Sequence, residues 1–408
     1  GQKEEEQMEL VTGVPEEFKT RIRFPMSDRE MKRRWSTVQT VMQEQGIDVL
    51  IAQNADQYLG GYFRYFTDLP TEQAYPMSVL FPAKGEMTTI TSSSPYNPLP
   101  PAWFRRGIGN RLGAPYFRTF HYTDLYDAKL MEAYICDHKC KTVGLIAPSL
   151  LNYKLVNYLK TALPDVTFID ATELIDEIKA VKSEDEIQAI RRTVALHDQV
   201  LQMVPGILHP GMYEYDLRAE VNKFLISKGS EENLVMMGSA PQGTPTPKLH
   251  SFYQNRRIED GDDLVFMIEA NGGGGYYAEI VRGFCIGHQP SKELQYAWDL
   301  SRELQDFTAE LVKPGSDCAE MLEIYNNKLV SYGLQPETRL FAHGQGYDLV
   351  ERPAFFKGET MKVKENMFFA IHPEINTGKA FGNYCDQYLV TKDGAVRVET
   401  TPRQIYVI

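Results

Sequence analysis

The stretch "VKSEDEIQAIRRTVALHDQVLQMV" constrains the fold more than any other part of the chain. Ser183 and Glu186 have the spacing of a capping box, in which each side chain accepts the other residue's backbone N–H at a helix start. Behind them, Ile187, Ile190, Val194, Leu201 and Val204 recur on one face at helical period. A long amphipathic helix therefore opens just past residue 180 and divides the 408 residues into two parts with different patterns.

Before that boundary, helix and strand alternate. "DREMKRRWSTVQTVMQEQ" (28–45) carries apolar residues at helical spacing, and "GIDVLIAQN" reads as a buried strand. "SVLFPAKGEMTTIT" reads as a hairpin, "KTVGLIAPS" as a strand, "LLNYKLVNYLKTAL" as an amphipathic helix, and "VTFIDATELI" as a strand entering a short helix. After the boundary come a second helix ("MYEYDLRAEVNKFLISKG"), a hairpin-rich region from about 233 to 290, two helices between about 292 and 333, and strands to the end. This predicts an N-terminal extension (1–25), an α/β domain (26–180) and an α+β domain (181–408).

Composition excludes several partners. A net charge of -12 argues against nucleic acid and anionic membranes, which demand a clustered basic face. The one compact basic stretch, Arg105, Arg106 and Arg111 in "WFRRGIGNRLG", reads as a loop with solvated charges or as arginines that bind a substrate carboxylate. No run approaches the ~20 apolar residues of a membrane span, and the acidic start is no secretory leader. Five cysteines, an odd number, fit a reducing compartment, so a cytoplasmic protein is expected. "CDHKC" (Cys136, His138, Cys140) lacks a second ligand pair and reads as a surface turn.

Four segments in order, "VKSEDEIQAIRRT", "KPGSDCAEM", "HGQGYDLVERP" and "ENMFFAIHPEI", resemble the pita-bread superfamily of methionine aminopeptidase, prolidase, Xaa-Pro aminopeptidase and creatinase. With the α/β domain ahead of them, the pattern resembles the two-domain creatinase/prolidase branch across nearly the whole chain. The resemblance implies a creatinase-like N-terminal domain, a pita-bread catalytic domain and a homodimer.

The peptidases of that superfamily hold two metal ions with two aspartates, a histidine and two glutamates, hard ligands able to bridge. An ungapped match sets Ile268 and Glu279 at the aspartate positions, His343 at the histidine, and His372 and Cys385 at the glutamates. Glu269 could replace Ile268 only through a one-residue change in the "NGGGG" turn, because alternation otherwise points it to the other face. Two centres follow from this set. One is mononuclear, with Fe or Zn on Glu279, His343, His372 and possible ligand Cys385. The other is a metal-free, creatinase-like acid–base site.

The resemblance also implies a catalytic role for His250 and Glu351 beside Glu279 and His343, while Val350 stands where a peptidase histidine is common. Arg64, in "YLGGYFRYFTD", and Tyr276 and Tyr347 are candidates for substrate binding. The expected activity is hydrolysis of a C–N or amide-type bond in a small molecule. The alternatives are an Xaa-Pro-type metallopeptidase, a lyase or Fe(II)-dependent enzyme, and an inactive binding protein.

Overall fold

The structure is a computed structural model that describes residues 21–54, 56–96 and 105–408. Contacts divide the chain after Lys179 into two compact units. Most of the 1–25 extension lies outside the described residues.

The first unit alternates strands and helices. In chain order these are α1 (Asp28–Gln45), β1 (Val49–Asn54), α2 (Gly61–Thr67), β2 (Met77–Pro82), β3 (Met87–Ser92), β4 (Ile108–Ala114), α3 (Tyr126–Asp137), β5 (Thr142–Leu145), α4 (Tyr153–Ala162), β6 (Thr167–Asp170) and α5 (Thr172–Ala180). Helix α1 starts where Ser27 caps Glu30 N–H and stops at Gly46, whose left-handed backbone returns its N–H to the last turn. The six strands run in the order β4-β3-β2-β1-β5-β6. Strands β1, β5 and β6 are mutually parallel, as short helical crossovers require, and Val49, Ile51, Val143 and Leu145 bury against Leu155 and Leu159 of α4.

Arg106 departs from the solvated loop expected of it. It is fully buried, with Nη2 2.7 Å from Asp68 and Nη1 3.2 Å from Asp28. A buried guanidinium needs such partners, and they lie far from it in sequence.

The second unit opens with α6 (Glu184–Ile207), whose capping box forms as the spacing requires: Ser183 Oγ accepts from Glu186 N, and Glu186 Oε1 accepts from Ser183 N. It continues through α7 (Glu214–Ser227), β7 (Asn233–Pro241), β8 (Asp262–Asn271), β9 (Tyr277–Cys285), α8 (Lys292–Leu311), α9 (Cys318–Ser331), β10 (Ala342–Gly344), β11 (Glu351–Ala354), β12 (Phe368–Ile371), β13 (Ile375–Asn376), β14 (Phe381–Gly382), β15 (Asp386–Thr391), β16 (Gly394–Arg397) and β17 (Tyr406–Val407).

Two larger sheets result, β17-β9-β8-β7 and β11-β10-β12-β15-β16. They approach each other where Val281 of β9 bridges Cys385, just before β15. Helices α6 and α7 bury Val200, Val204, Leu217 and Val221 against Ile268 and Ile280, so they cover one face of the β8/β9 hairpin. The opposite face of that hairpin carries the polar residues discussed next.

Among the described residues, no helix is long and apolar enough to cross a membrane.

Candidate active site

The hairpin register decides which carboxylates meet. Gly274 and Gly275 have φ of +97° and +92°, left-handed values that a tight turn assigns to glycine. The turn closes with Asn271 opposite Tyr277, which sets Glu269 opposite Glu279 and Ile268 opposite Ile280. The ungapped match is thereby corrected: Ile268 belongs to the helix-covered core, and Glu269 shares the inner face with Glu279.

The other sheet supplies two histidines. His343 lies on β10 opposite Ala370 of β12, and His372 follows the end of β12, its N–H donating to Phe341 O at 2.7 Å. Pro373 then ends the strand because it has no N–H for the ladder, and its carbonyl accepts from Ser301 Oγ and Asn383 Nδ2. The strand "FFAI" therefore delivers an imidazole at a fixed exit point.

Glu279, His343 and His372 gather with one ligand atom each within 4.8 Å of the others, and all three are buried. His343 Nδ1 lies 2.8 Å from Gly344 O, a contact that needs the proton on Nδ1 and leaves Nε2 with its lone pair. That Nε2 stands 3.1 Å from His372 Nε2, which is 3.8 Å from Glu279 Oε2. Two imidazole nitrogens this close share either one proton or one cation. His372 Nδ1 has no hydrogen-bond partner among the described residues.

Burial sets the charges. It drives the His372 pKa down to about 3 and lowers that of His343, so both rings are neutral at pH 7. Burial and then the charge of Glu279 push Glu269 well above the usual carboxylate range. Burial also opposes ionisation of Glu279, but His372, a hydrogen bond from Glu269 and His343 outweigh it, and Glu279 titrates at about 2. The rung is thus one carboxylic acid donating to one carboxylate. Gln345 Nε2 donates to the acid's Oε2 at 3.2 Å.

Lys248 is the residue that sequence reasoning missed. Its positive charge acts on Glu269, Glu279 and His372, while its Nζ donates to Asn383 Oδ1 at 2.7 Å and Glu374 Oε1 at 3.0 Å. Its segment lies tight against β7: a Cβ on Gly238 would come 1.7 Å from Pro247 O, so only glycine fits. A signal was available, since Lys248 stands two residues before His250, on the same side of an extended stretch.

The remaining candidates separate. Cys385 does not join the trio; its buried Sγ donates to the backbone carbonyl of Glu279 at 3.5 Å, and burial pushes its thiol well above the usual range. This corrects the four-ligand set, because the bridge to β9 aims the sulfur at backbone. Asp386 beside it is fully buried, 2.6 Å from Arg282. His250 precedes a short turn, its ring against Phe252, and lies outside the trio. Glu351 accepts from Lys182 Nζ at 2.8 Å and from Tyr347 N at 3.0 Å. Tyr276 is buried, stacked on Tyr347 with centroids 4.2 Å apart, and its hydroxyl bonds Glu186. Arg64 is buried in the first unit, Nε 3.9 Å from Asp68.

A carboxylate and two neutral imidazoles form a donor set that suits a divalent metal ion. Around it, Glu269 is hydrogen-bonded to Glu279, Cys385 faces a carbonyl, and Asp386 faces Arg282.

Comparison with known proteins agrees with this architecture. Residues 188–402 match metallopeptidase family M24, and residues 34–181 match the creatinase/prolidase N-terminal domain. "Probable dipeptidase PepE" of Mycobacterium tuberculosis is 30% identical over 241 residues, 58% of this chain and 63% of that protein, so the match spans less than two thirds of the relative's length. The Xaa-Pro dipeptidase of Pyrococcus horikoshii is 25% identical over 282 residues, 68% of this chain and 78% of its own. Among solved structures, an X-Pro aminopeptidase from Thermotoga maritima superposes with a TM-score of 0.76 at 19% identity, covering 92% of this chain and 99% of that one. Dipeptidase PepE from Mycobacterium ulcerans gives 0.73 at 20% identity, covering 94% and 99%.

Proposed function

Because the chain belongs to metallopeptidase family M24, we propose that it hydrolyses the amide C–N bond of dipeptide-sized substrates at a centre holding one divalent ion. The observation that carries this reading is the convergence of Glu279, His343 and His372 beside the Glu269 carboxyl. Two carboxyl groups, Glu269 and Glu279, share the inner face of the hairpin, which supports peptide hydrolysis over the creatinase-like chemistry expected from sequence.

Glu279, His343 and His372 would hold the ion, Fe(II) or Zn(II) by donor type, which supplies Lewis-acid polarisation of the scissile carbonyl when bound. The protein's own groups do the rest. Water forms the new C–O bond as the C–N bond breaks; Glu269, which holds a proton beside Glu279, gives it to the departing amine nitrogen and takes one from the water in return. Lys248 offsets the Glu279 charge from the other side of the site, anchored by Asn383 and Glu374. Gln345 fixes the Glu269 carboxyl so that its proton keeps one direction.

A second reading, metal-free hydrolysis of a small amide, draws on Lys248, whose positive charge acts on the Glu279 carboxylate. One experiment separates the two. Chelator-treated protein is assayed on Xaa-Pro and other dipeptides and on small amides and guanidino compounds, before and after adding one equivalent of Fe(II) or Zn(II). The expected result is dipeptide turnover restored by the metal and lowered ~100-fold in His372→Ala. Turnover that survives chelation, or is confined to non-peptide amides, would establish the second reading instead.

A further inference from the structure

We propose that Asp263, Cys285 and His288 form a separate binding site for a zinc-type divalent cation at the open end of the β8/β9 hairpin. The three residues offer a carboxylate oxygen, a thiol sulfur and an imidazole nitrogen, all within 4.8 Å of one another. Asp263 and Cys285 are register partners, as Glu269 and Glu279 are, three inner-face rungs nearer the turn. Six residues of strand separate the two rungs by roughly 20 Å at about 3.3 Å per residue. Between them, Gly283 leaves room for Trp298, whose indole would stand 2.6 Å from a Cβ at that position. The two sites are therefore distinct.

The geometry around His288 points to a cation. Its Nδ1 lies 2.7 Å from Gln289 O, and its Nε2 lies 3.0 Å from both Asp262 O and Asp263 Oδ1. All three neighbours are acceptors, and a neutral imidazole has one proton for its two nitrogens. With that proton on Nδ1, the Nε2 lone pair faces a carboxylate and a carbonyl, an arrangement that a cation between them turns from repulsive to attractive. Asp263 Oδ1 is buried, with His288 Nε2 3.0 Å from it. Cys285 is fully buried with its thiol hydrogen-bonded to Asp263, so metal binding exchanges that proton for the ion.

Backbone geometry holds the three in place. Gly287 turns the chain from Cys285 to His288 at φ +75°, and a Cβ there would come 1.9 Å from Asp260 Oδ1. Ile408 N donates to Cys285 O and Gly287 N donates to Ile408 O, which ties the C-terminal strand to the same corner. A thiolate, an imidazole and a carboxylate suit zinc over calcium or magnesium, which prefer all-oxygen sets. An ion here would clamp β8, β9 and the strand beside them, a structural role.

Cobalt(II) gives a readout independent of catalysis, because a cysteine ligand produces a sulfur-to-metal charge-transfer band in the near ultraviolet. Full-length protein freed of metal is titrated with Co(II), then with Zn(II) in competition. The band should form, disappear on adding Zn(II), be lost in Cys285→Ser, and persist in Cys385→Ser and His372→Ala. His288→Ala should weaken Co(II) binding at least ~10-fold and serves as the second test if Cys285→Ser fails to fold. Absence of the band in the wild-type protein, or its loss in Cys385→Ser but not in Cys285→Ser, would overturn the proposal and leave the three residues as a hydrogen-bonded cluster.

Discussion

Two buried polar networks lie side by side in the second unit, and they are built on opposite rules. Around Arg282, each of the five guanidinium N–H groups has an acceptor: Pro402 O, Val281 O, Cys385 O, Thr401 O and Asp386 Oδ1. Asp386 is equally provided for, with Oδ1 also near Arg397 and Oδ2 accepting from Gln305. Three residues before Arg282, Glu279 belongs to a group left incomplete: His372 Nδ1 and Gln345 Oε1 have no partners among the described residues, and a carboxylic acid leans on a carboxylate. The first network holds sheets together. The second leaves buried polar atoms without partners, at a cost in stability.

The largest effect expected of this contrast is on stability. Arg282→Met leaves Asp386 charged and buried without its partner and should cost about 3–5 kcal/mol in urea unfolding. Replacing both as Arg282→Met with Asp386→Leu should recover only part of that loss, since it removes the uncompensated charge but leaves Gln305 Nε2 and the carbonyls that Arg282 served without partners. In the incomplete network the sign is different. Glu279→Gln should lower dipeptide turnover ~100-fold or more, measured as kcat/KM, while the urea midpoint stays the same or rises. Loss of folding in Glu279→Gln comparable to that in Arg282→Met would erase the distinction between the networks.

Cys385 tests the boundary between them, because its carbonyl serves Arg282 while its sulfur faces the Glu279 backbone. Cys385→Ala should cost about 1–2 kcal/mol and leave the bound-metal stoichiometry unchanged. Loss of an equivalent of metal would return the cysteine to the ligand set.

What was legible in the sequence follows from how local each cause is. The α6 capping box needs two residues three apart, and α1 needs only its apolar period and a terminal glycine, so both could be read directly. His343 and His372 could be read from short motifs at strand ends. Glu269 could not, because its face depends on one residue in a glycine turn, and a period-two strand converts that uncertainty into the opposite side of the sheet. Arg106, Arg282 and Lys248 were illegible for another reason: their partners lie 38 to 135 positions away, and nothing in a charged residue's neighbours announces a distant ion pair.

The smallest effect concerns a third buried carboxylate, which shows that incompleteness alone does not make a site. Asp127, on α3 of the first unit, accepts from Gln53 Nε2 at 2.7 Å through Oδ2, while Oδ1 has no partner among the described residues. Burial pushes its pKa up to about 7, with the Gln53 hydrogen bond only partly opposing it. No imidazole is grouped with it as a potential ligand, unlike Glu279. Its folded pKa lies above the unfolded value, so the folded state holds the proton more tightly, and stability falls as pH rises between about 4 and about 7. The slope falls to half its maximum at about pH 7 and fades above it, and between pH 6 and 7 the loss should be about 1 kcal/mol. Asp127→Asn removes the titration, so urea midpoints of the variant should lack that part of the pH dependence while dipeptide turnover is unchanged. If the slope persists in the variant, Asp127 is already ionised at pH 6 and the Gln53 contact stabilises the charge. If turnover falls as well, a lone buried acid must count as part of a functional network, and convergence with histidines ceases to be the criterion that separates the two kinds.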